Sequence, residues 1–168
     1  MKKRLVQLVG VALTSRPSII LFNLIIAAIA VLTVYHGVRL VATPANDFNE
    51  IEELLDGVGT ILIAYGVAIE ERASLLKFFK LCPLHEDVEE RFDNRTCHFY
   101  GLMLLILGLL METTVQAVKL PNRILNTDGL EGVIFGIGVF FCSLAVAALC
   151  RTSQLLVTGG DGESEPPR

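Results

Sequence analysis

The stretch SIILFNLIIAAIAVLTVYHGV, residues 18–38, contains no charged side chain, and it decides the class of fold. A helix needs about 20 apolar residues to cross the hydrocarbon core of a bilayer, and this stretch has that length. Two further stretches are similar: residues 97–111, which continue beyond Glu112 to residue 118, and residues 132–150. The sequence therefore predicts an all-α, polytopic membrane protein that has the lipid bilayer as a partner.

The composition of the whole chain supports this class. Of its 168 residues, 52% are hydrophobic and 19% are charged, and the mean hydropathy is +0.58. These values exclude a disordered chain and argue against a water-soluble domain. A net charge of -4 without a dense Lys/Arg stretch argues against a nucleic-acid partner. The four cysteines form no CxxC pair, so we expect no secreted disulfide framework.

A fourth span is predicted from a less apolar stretch. Its uncharged part, residues 57–69, is too short, so the span must include Asp56 at one end and Glu70, Glu71 and Arg72 at the other. We predict a transmembrane domain over residues 18–152, with four helices arranged as two hairpins. The predicted spans are residues 18–40, 54–77, 97–119 and 130–151. Residues 1–17 are predicted to form a cytoplasmic interfacial segment, and residues 153–168 a disordered cytoplasmic tail.

The basic residues orient the predicted spans. With the N-terminus in the cytoplasm, 11 of the 14 Lys and Arg residues fall on the cytoplasmic side, as the positive-inside rule favours. Arg39, Lys119 and Arg123 fall outside. The sequence therefore predicts a multi-pass protein of the cell inner membrane with both termini in the cytoplasm.

Short matches between the two halves of the chain suggest an internal duplication. VRL (38–40) matches VKL (118–120), and LDGV (55–58) matches LEGV (130–133). If the match is genuine, one helical hairpin was duplicated, and the halves are parallel rather than inverted repeats.

Five polar residues near the predicted outer surface form the first candidate site: Glu112, Asp56, Glu131, His36 and Gln116. A carboxylate deep in hydrocarbon costs about 2–3 kcal/mol, so we expect Glu112 to face other helices or water. One interpretation is a cation or proton site in a shallow outer cavity. The other is that Asp56 and Glu131 are first-turn acids that suit the helix dipole, while Glu112 is hydrogen-bonded and structural.

Three consecutive charges, Glu70, Glu71 and Arg72, stand at the inner-leaflet end of the second predicted span. In one interpretation a glutamate pairs with Arg72 or with a neighbouring helix, and Arg72 snorkels to the headgroups. In the other, the helix continues into the cytosol as an amphipathic extension. Asn23, the strongly polar residue of the first span, is expected to make a hydrogen bond between helices.

A possible metal site lies in the predicted cytoplasmic loop, with Cys82, His85, Cys97 and His98 as candidate ligands. Two thiols and two imidazoles suit tetrahedral zinc, and the CxxH spacing of the first pair can wrap one ion. Cys97 and His98 are adjacent, and on a helix they point about 100 degrees apart, which weakens the pattern. Our prediction is that the chain carries no cofactor.

Small residues recur at helical spacing in two spans. Gly132 and Gly136 form a GxxxG in the fourth span, and Ala64 and Ala68 repeat the spacing in the second. Such faces allow close approach of helices, within the chain or between protomers.

The layout of residues 50–155 resembles the phosphate-starvation-inducible E family of small bacterial inner-membrane proteins. The points of likeness are Asp56 and Gly57 at the start of the second span, the LLKFF stretch at residues 75–79, and Glu131 at the head of the fourth span. The spacing from Asp56 to Lys77 and the cytoplasmic loop are longer than in the family pattern. The resemblance implies a topology and no particular activity.

The sequence contains no GxGxxG, P-loop, GxSxG or HExxH string, so we do not expect an enzyme. The first functional hypothesis is an accessory or stress-response component that self-associates or joins a larger membrane complex. An alternative is an oligomeric channel or transporter for an ion, proton or small solute, using Glu112 with Asp56 and Glu131. A second alternative is a metal-binding or redox protein built on the cysteines and histidines of the loop.

Overall fold

All regular structure in the described parts of the chain is helical. The computed structural model describes residues 15–42, 48–74, 88–120 and 129–158. Helix α1 is Arg16–Ala42, α2 is Phe48–Glu70, α3 is Val88–Lys119 and α4 is Glu131–Thr158. After a turn at Glu71, residues 72–74 are also helical. This agrees with the all-α class predicted from the sequence.

Local sequence accounts for where two of these helices begin. Pro17 stands in the first turn of α1, where its missing N–H costs nothing because that group has no partner within a helix. Gly129 precedes α4 with a φ of 80 degrees, a conformation that favours glycine, and the carbonyl of Leu130 then accepts from the N–H groups of Val133 and Ile134.

Helices α1 and α3 are parallel to each other, and α2 and α4 are antiparallel to both. We name the two ends of the molecule by a residue at each. The Arg16 end holds the start of α1 and α3 and the end of α2 and α4, and the Lys119 end holds the opposite termini. Residues brought together at either end are therefore far apart in sequence.

Within the described residues, three helices, rather than the four predicted, are long and apolar enough to cross a membrane. They are Arg16–Arg39 in α1, Phe92–Lys119 in α3, and α4. The prediction of four spans is wrong for α2, which ends at Glu70 and is not apolar enough to cross a membrane by its own composition, although it runs from the Lys119 end to the Arg16 end packed against α3. Each window of 18 residues within α2 contains at least three acidic side chains, because the helix begins in the sequence FNEIEELLD.

The helices also do not pack as two sequential hairpins. The largest interface joins α2 and α3, followed by those of α1 with α4 and of α3 with α4, whereas α1 and α2 make a small interface. The ring order is therefore α1, α4, α3, α2. The α1–α2 interface, which corresponds to the predicted first hairpin, is the smallest between neighbours in the ring, because the close-packing residues of α2 face α3.

The buried core runs along the centre of this ring. Its fully buried side chains come from all four helices and include Ala30, Leu55, Leu62, Leu104 and Phe135. Outside the core, α1, α3 and α4 expose many large apolar side chains, whereas α2 exposes two, Ile61 and Val67. A broad exposed apolar surface on these three helices is typical of a protein in contact with lipid.

The domain boundaries differ from the predicted ones at the C-terminal side. Helix α4 continues through residues 153–158, which had been assigned to a disordered tail. Residues 1–14 of the predicted interfacial segment and residues 159–168 of the tail lie outside the described residues.

Candidate functional site

Glu112 lies on α3 where that helix faces α2. Its Oε1 accepts a hydrogen bond of 2.9 Å from Gln116 Nε2, one turn further along α3. Its Oε2 is buried and has no hydrogen-bond partner among the described residues. A Cβ placed on Gly59 of α2 would lie 3.4 Å from this oxygen and 3.4 Å from the carbonyl oxygen of Gly108. One oxygen of the carboxyl group is therefore enclosed by helix backbone.

Acidic side chains of α2 surround Lys119 just beyond this carboxyl group. The Lys119 Nζ lies 3.4 Å from Glu52 Oε1 and 3.6 Å from Asp56 Oδ2. Glu112, Gln116 and Lys119 follow one another at spacings of four and three residues, so they share one face of α3. The result is a polar strip on the α2–α3 interface that leads from Glu112 to the Lys119 end.

Two residues of the predicted outer site do not join this strip. The exposed imidazole of His36 contacts the ring of Tyr35, with 5.6 Å between ring centroids. Glu131 is the first residue of α4. Among the described residues, no hydrogen bond or ion pair links either one to Glu112. The interpretation as a first-turn acid fits Glu131 but fails for Asp56, because α2 begins about two turns earlier, at Phe48.

Four glycines hold α2 and α3 together along the rest of their interface. Gly59 and Gly66 of α2 and Gly101 and Gly108 of α3 form what we call the glycine seam. A Cβ on Gly66 would lie 2.7 Å from the Leu105 nitrogen and 2.8 Å from the Gly101 oxygen, and one on Gly101 would lie 2.6 Å from the Glu70 nitrogen. The two backbones thus approach more closely than any side chain permits.

The small residues predicted to pack lie elsewhere. No atom of another described helix lies within 4 Å of a Cβ built on Gly132 or Gly136, and Ala64 and Ala68 are exposed. The close approach within the chain is made by the glycine seam instead. The glycines recur at a spacing of seven residues in both helices, and this spacing could have indicated the interface. It was missed because the spacing predicts a contact only when the partner helix is known.

A second polar cluster ties three helices together near the Arg16 end. Tyr65 of α2 donates to Asn23 Oδ1 at 2.6 Å, and Asn23 Nδ2 donates to Ser153 Oγ of α4 at 3.1 Å. Ser153 in turn donates to the Leu149 carbonyl at 2.9 Å. The predicted interhelical hydrogen bond of Asn23 is therefore confirmed. In an apolar surrounding, each such bond contributes about 0.6–2 kcal/mol.

Charged groups also pair with one another at the Arg16 end of the molecule. Arg16 of α1 forms a hydrogen-bonded ion pair with Oδ2 of Asp93 on α3, and the Asp93 side chain is 5% exposed. Its Oδ1 is buried, and the described residues supply no hydrogen-bond partner for it. Arg72, which is also buried, donates to Asn94 Oδ1. Sequence reasoning missed Asp93, because this residue lies within the charged stretch EERFDNR, which belongs to the predicted cytoplasmic loop.

The three consecutive charges at the end of α2 are separated by this arrangement. Glu70 Oε1 lies 3.4 Å from His98 Nδ1 on α3, Glu71 is exposed in the turn, and Arg72 bonds to Asn94. Thus Glu70 pairs with a neighbouring helix, as one interpretation expected, and Arg72 is buried rather than snorkelling. The apolar residues of the proposed amphipathic extension lie outside the described residues.

The predicted metal ligands are only partly described. Cys82 and His85 lie outside the described residues. Cys97 is fully buried, whereas the adjacent His98 is exposed beside Glu70, so the two side chains point apart as their adjacency required. Within the four described ranges, no group of three or more His, Cys, Asp or Glu side chains is placed to hold a metal ion.

Comparison with known proteins gives no relative. The chain matches no family model, no curated protein and no solved structure. The resemblance in layout described above rests on the sequence alone, and the function has to be argued from the site.

Proposed function

We propose that this chain is a non-enzymatic integral membrane protein that takes up a proton at Glu112. The observation that carries the proposal is the buried Glu112 Oε2, which has no hydrogen-bond donor in a carboxyl group held between two helices. An ionised carboxylate in such a place loses hydration that nothing replaces, at a cost of about 1–3 kcal/mol or more. Protonation removes the charge and gives this oxygen a hydrogen to donate.

The neighbouring side chains support proton uptake over permanent ionisation. Gln116 donates one hydrogen bond to Oε1, which is compatible with both protonation states. Lys119, the described cation nearest along this face of α3, contacts Glu52 and Asp56. The carboxyl group of Glu112 therefore has a neutral amide, and no cation, as its described direct partner.

We also propose an orientation for the molecule. Arg16, Arg72, Arg95 and Arg151 lie toward the Arg16 end, against Arg39 and Lys119 toward the other end. The positive-inside rule then favours a cytoplasmic Arg16 end, with the start of α1 and the end of α4 on that side of a cell inner membrane.

The proposal is tested by replacing Glu112→Gln in purified protein reconstituted into liposomes. We expect the native chain to take up a proton on mild acidification and to show the infrared band of a protonated carboxyl group. In the variant this band and the associated uptake are lost, since an amide cannot titrate. Any proton or cation flux that depends on the site falls with them.

Glu53→Gln is the matched control, because Glu53 is an exposed acid on α2 near the same end. It should keep the band and the flux of the native chain. Identical spectra for the native chain and Glu112→Gln would refute proton uptake at this site. If uptake depends on added Na⁺ or K⁺ rather than on pH, the site binds a small cation instead of a proton.

A second candidate function is that of a subunit in a membrane complex, including a complex with further copies of this chain. It is favoured by Gly132, Gly136, Ala64 and Ala68, which present small side chains away from the core. In a membrane such faces let another helix approach closely.

Disulfide crosslinking tests this second candidate. Ala64→Cys is expected to give a crosslinked dimer in native membranes. Phe140→Cys, at a large exposed side chain of α4, is the control and should give less. Monomeric protein in detergent, together with equal crosslinking of the two variants, would contradict association through the small-residue faces.

A further inference from the structure

The polar surroundings of Glu112 extend in one direction along the molecule. Gln116 is its hydrogen-bond partner, and Glu52, Asp56 and Lys119 lie beyond it toward the Lys119 end. Gln116 is exposed, and the side chains of Asp56 and Lys119 are more than one-third exposed. Water at that end therefore has a path of polar side chains to the carboxyl group.

In the opposite direction the glycine seam closes the interface. At Gly66 and Gly101 the two helices leave too little space for a methyl group, so a water molecule does not fit between them. Beside these glycines, Leu62 and Leu104 are fully buried and offer no polar atom. Tight backbone contact and apolar side chains together exclude a proton path along the seam.

The next titratable pair on this interface belongs to the other end. His98 and Glu70 lie 3.4 Å apart, and the His98 side chain is 62% exposed. His98 precedes Glu112 by 14 residues on the same helix, a rise of about 21 Å. The two sites are thus separated by the full length of the glycine seam.

We propose that Glu112 exchanges its proton only with the aqueous phase at the Lys119 end. This inference rests on the proton uptake proposed above and adds the side of the membrane from which it occurs. The charged or titratable groups described at that end are Glu50, Glu52, Glu53 and Asp56 of α2, Lys119 of α3, Glu131 of α4, and Tyr35, His36 and Arg39 of α1. The chain is then a one-sided pH sensor, in which the glycine seam separates Glu112 from the pH at the Arg16 end.

Cysteine accessibility tests the sidedness directly. Glu112→Cys and Glu70→Cys are expressed separately and treated with a membrane-impermeant maleimide, in intact cells and in inverted vesicles. Glu53→Cys and Gln154→Cys, at exposed positions toward the Lys119 and Arg16 ends, mark which end faces which compartment. The unsubstituted chain, with its exposed Cys150, gives the background.

We expect Glu112→Cys to be labelled from the compartment that labels Glu53→Cys. It should not be labelled from the opposite compartment. Glu70→Cys should show the reverse pattern, together with Gln154→Cys. Labelling of Glu112→Cys from both sides, or from neither, would overturn the one-sided path.

A second measurement on the native chain covers the case in which a cysteine variant fails to fold. The infrared carboxyl band, assigned by its loss in Glu112→Gln, is followed in vesicles while pH is changed on one side at a time. Response to the Lys119 side alone is expected, and response to the Arg16 side overturns the inference while leaving proton uptake intact. Absence of any response refutes the proposed function itself.

Discussion

Replacement of Gly66→Ala or Gly101→Ala is expected to destabilise the chain by about 3 kcal/mol, or to prevent folding. The added methyl groups would lie 2.7 Å and 2.6 Å from backbone nitrogens of the facing helix. Backbone atoms cannot turn aside as a flexible side chain can, so α2 and α3 have to separate. The largest interface of the molecule is then lost, and with it the enclosure of Glu112.

Thermal unfolding in detergent, followed by circular dichroism, measures this effect. Gly57→Ala is the matched control, because it lies on α2 and no atom of another described helix is within 4 Å of its added methyl group. It should be neutral or stabilising by up to about 1 kcal/mol, since alanine is the better helix former. Equal melting temperatures for Gly66→Ala and Gly57→Ala would show that the glycine seam does not set the α2–α3 contact.

The second large effect is expected at the Arg16–Asp93 pair, and it is asymmetric. Removal of one partner of a buried ion pair costs about 3–5 kcal/mol when the other charge stays buried and uncompensated. Arg16→Ala leaves the Asp93 carboxylate at 5% exposure, with its Oδ1 already lacking a partner. Asp93→Ala leaves Arg16, whose side chain is 30% exposed and reaches water. We therefore expect Arg16→Ala to be the more damaging change.

A double-mutant cycle measures the asymmetry in the same unfolding assay. The Arg16→Ala/Asp93→Ala chain should be more stable than Arg16→Ala alone, because the second substitution removes the stranded carboxylate. A double variant no more stable than Arg16→Ala, or equal losses from the two single changes, would contradict burial of an uncompensated charge.

The candidate site shows where reasoning from sequence succeeds and where it stops. Glu112 and Asn23 were identifiable because a polar group in an apolar helix needs a partner whatever the fold. The partners themselves were not identifiable: Asn23 bonds to Tyr65 and Ser153, which stand 42 and 130 residues away. Glu131 and His36 were grouped with Glu112 because the apparent repeat and the predicted spans place them near the same surface, and neither specifies which face of a helix a residue occupies.

The sequence by itself determined that α1, α3 and α4 are apolar helices of membrane-crossing length, since the transfer of a helix into lipid depends on the residues of that helix alone. The prediction of a fourth span at α2 was wrong, because the acids of its first turns make that helix too polar to cross a membrane by its own composition. Only the tertiary structure decided that α2 packs on α3 rather than on α1, and that Gly59, Gly66, Gly101 and Gly108 form the contact. The physical reason is that close packing depends on the register between two helices, and the sequence of one helix does not specify that register without its partner.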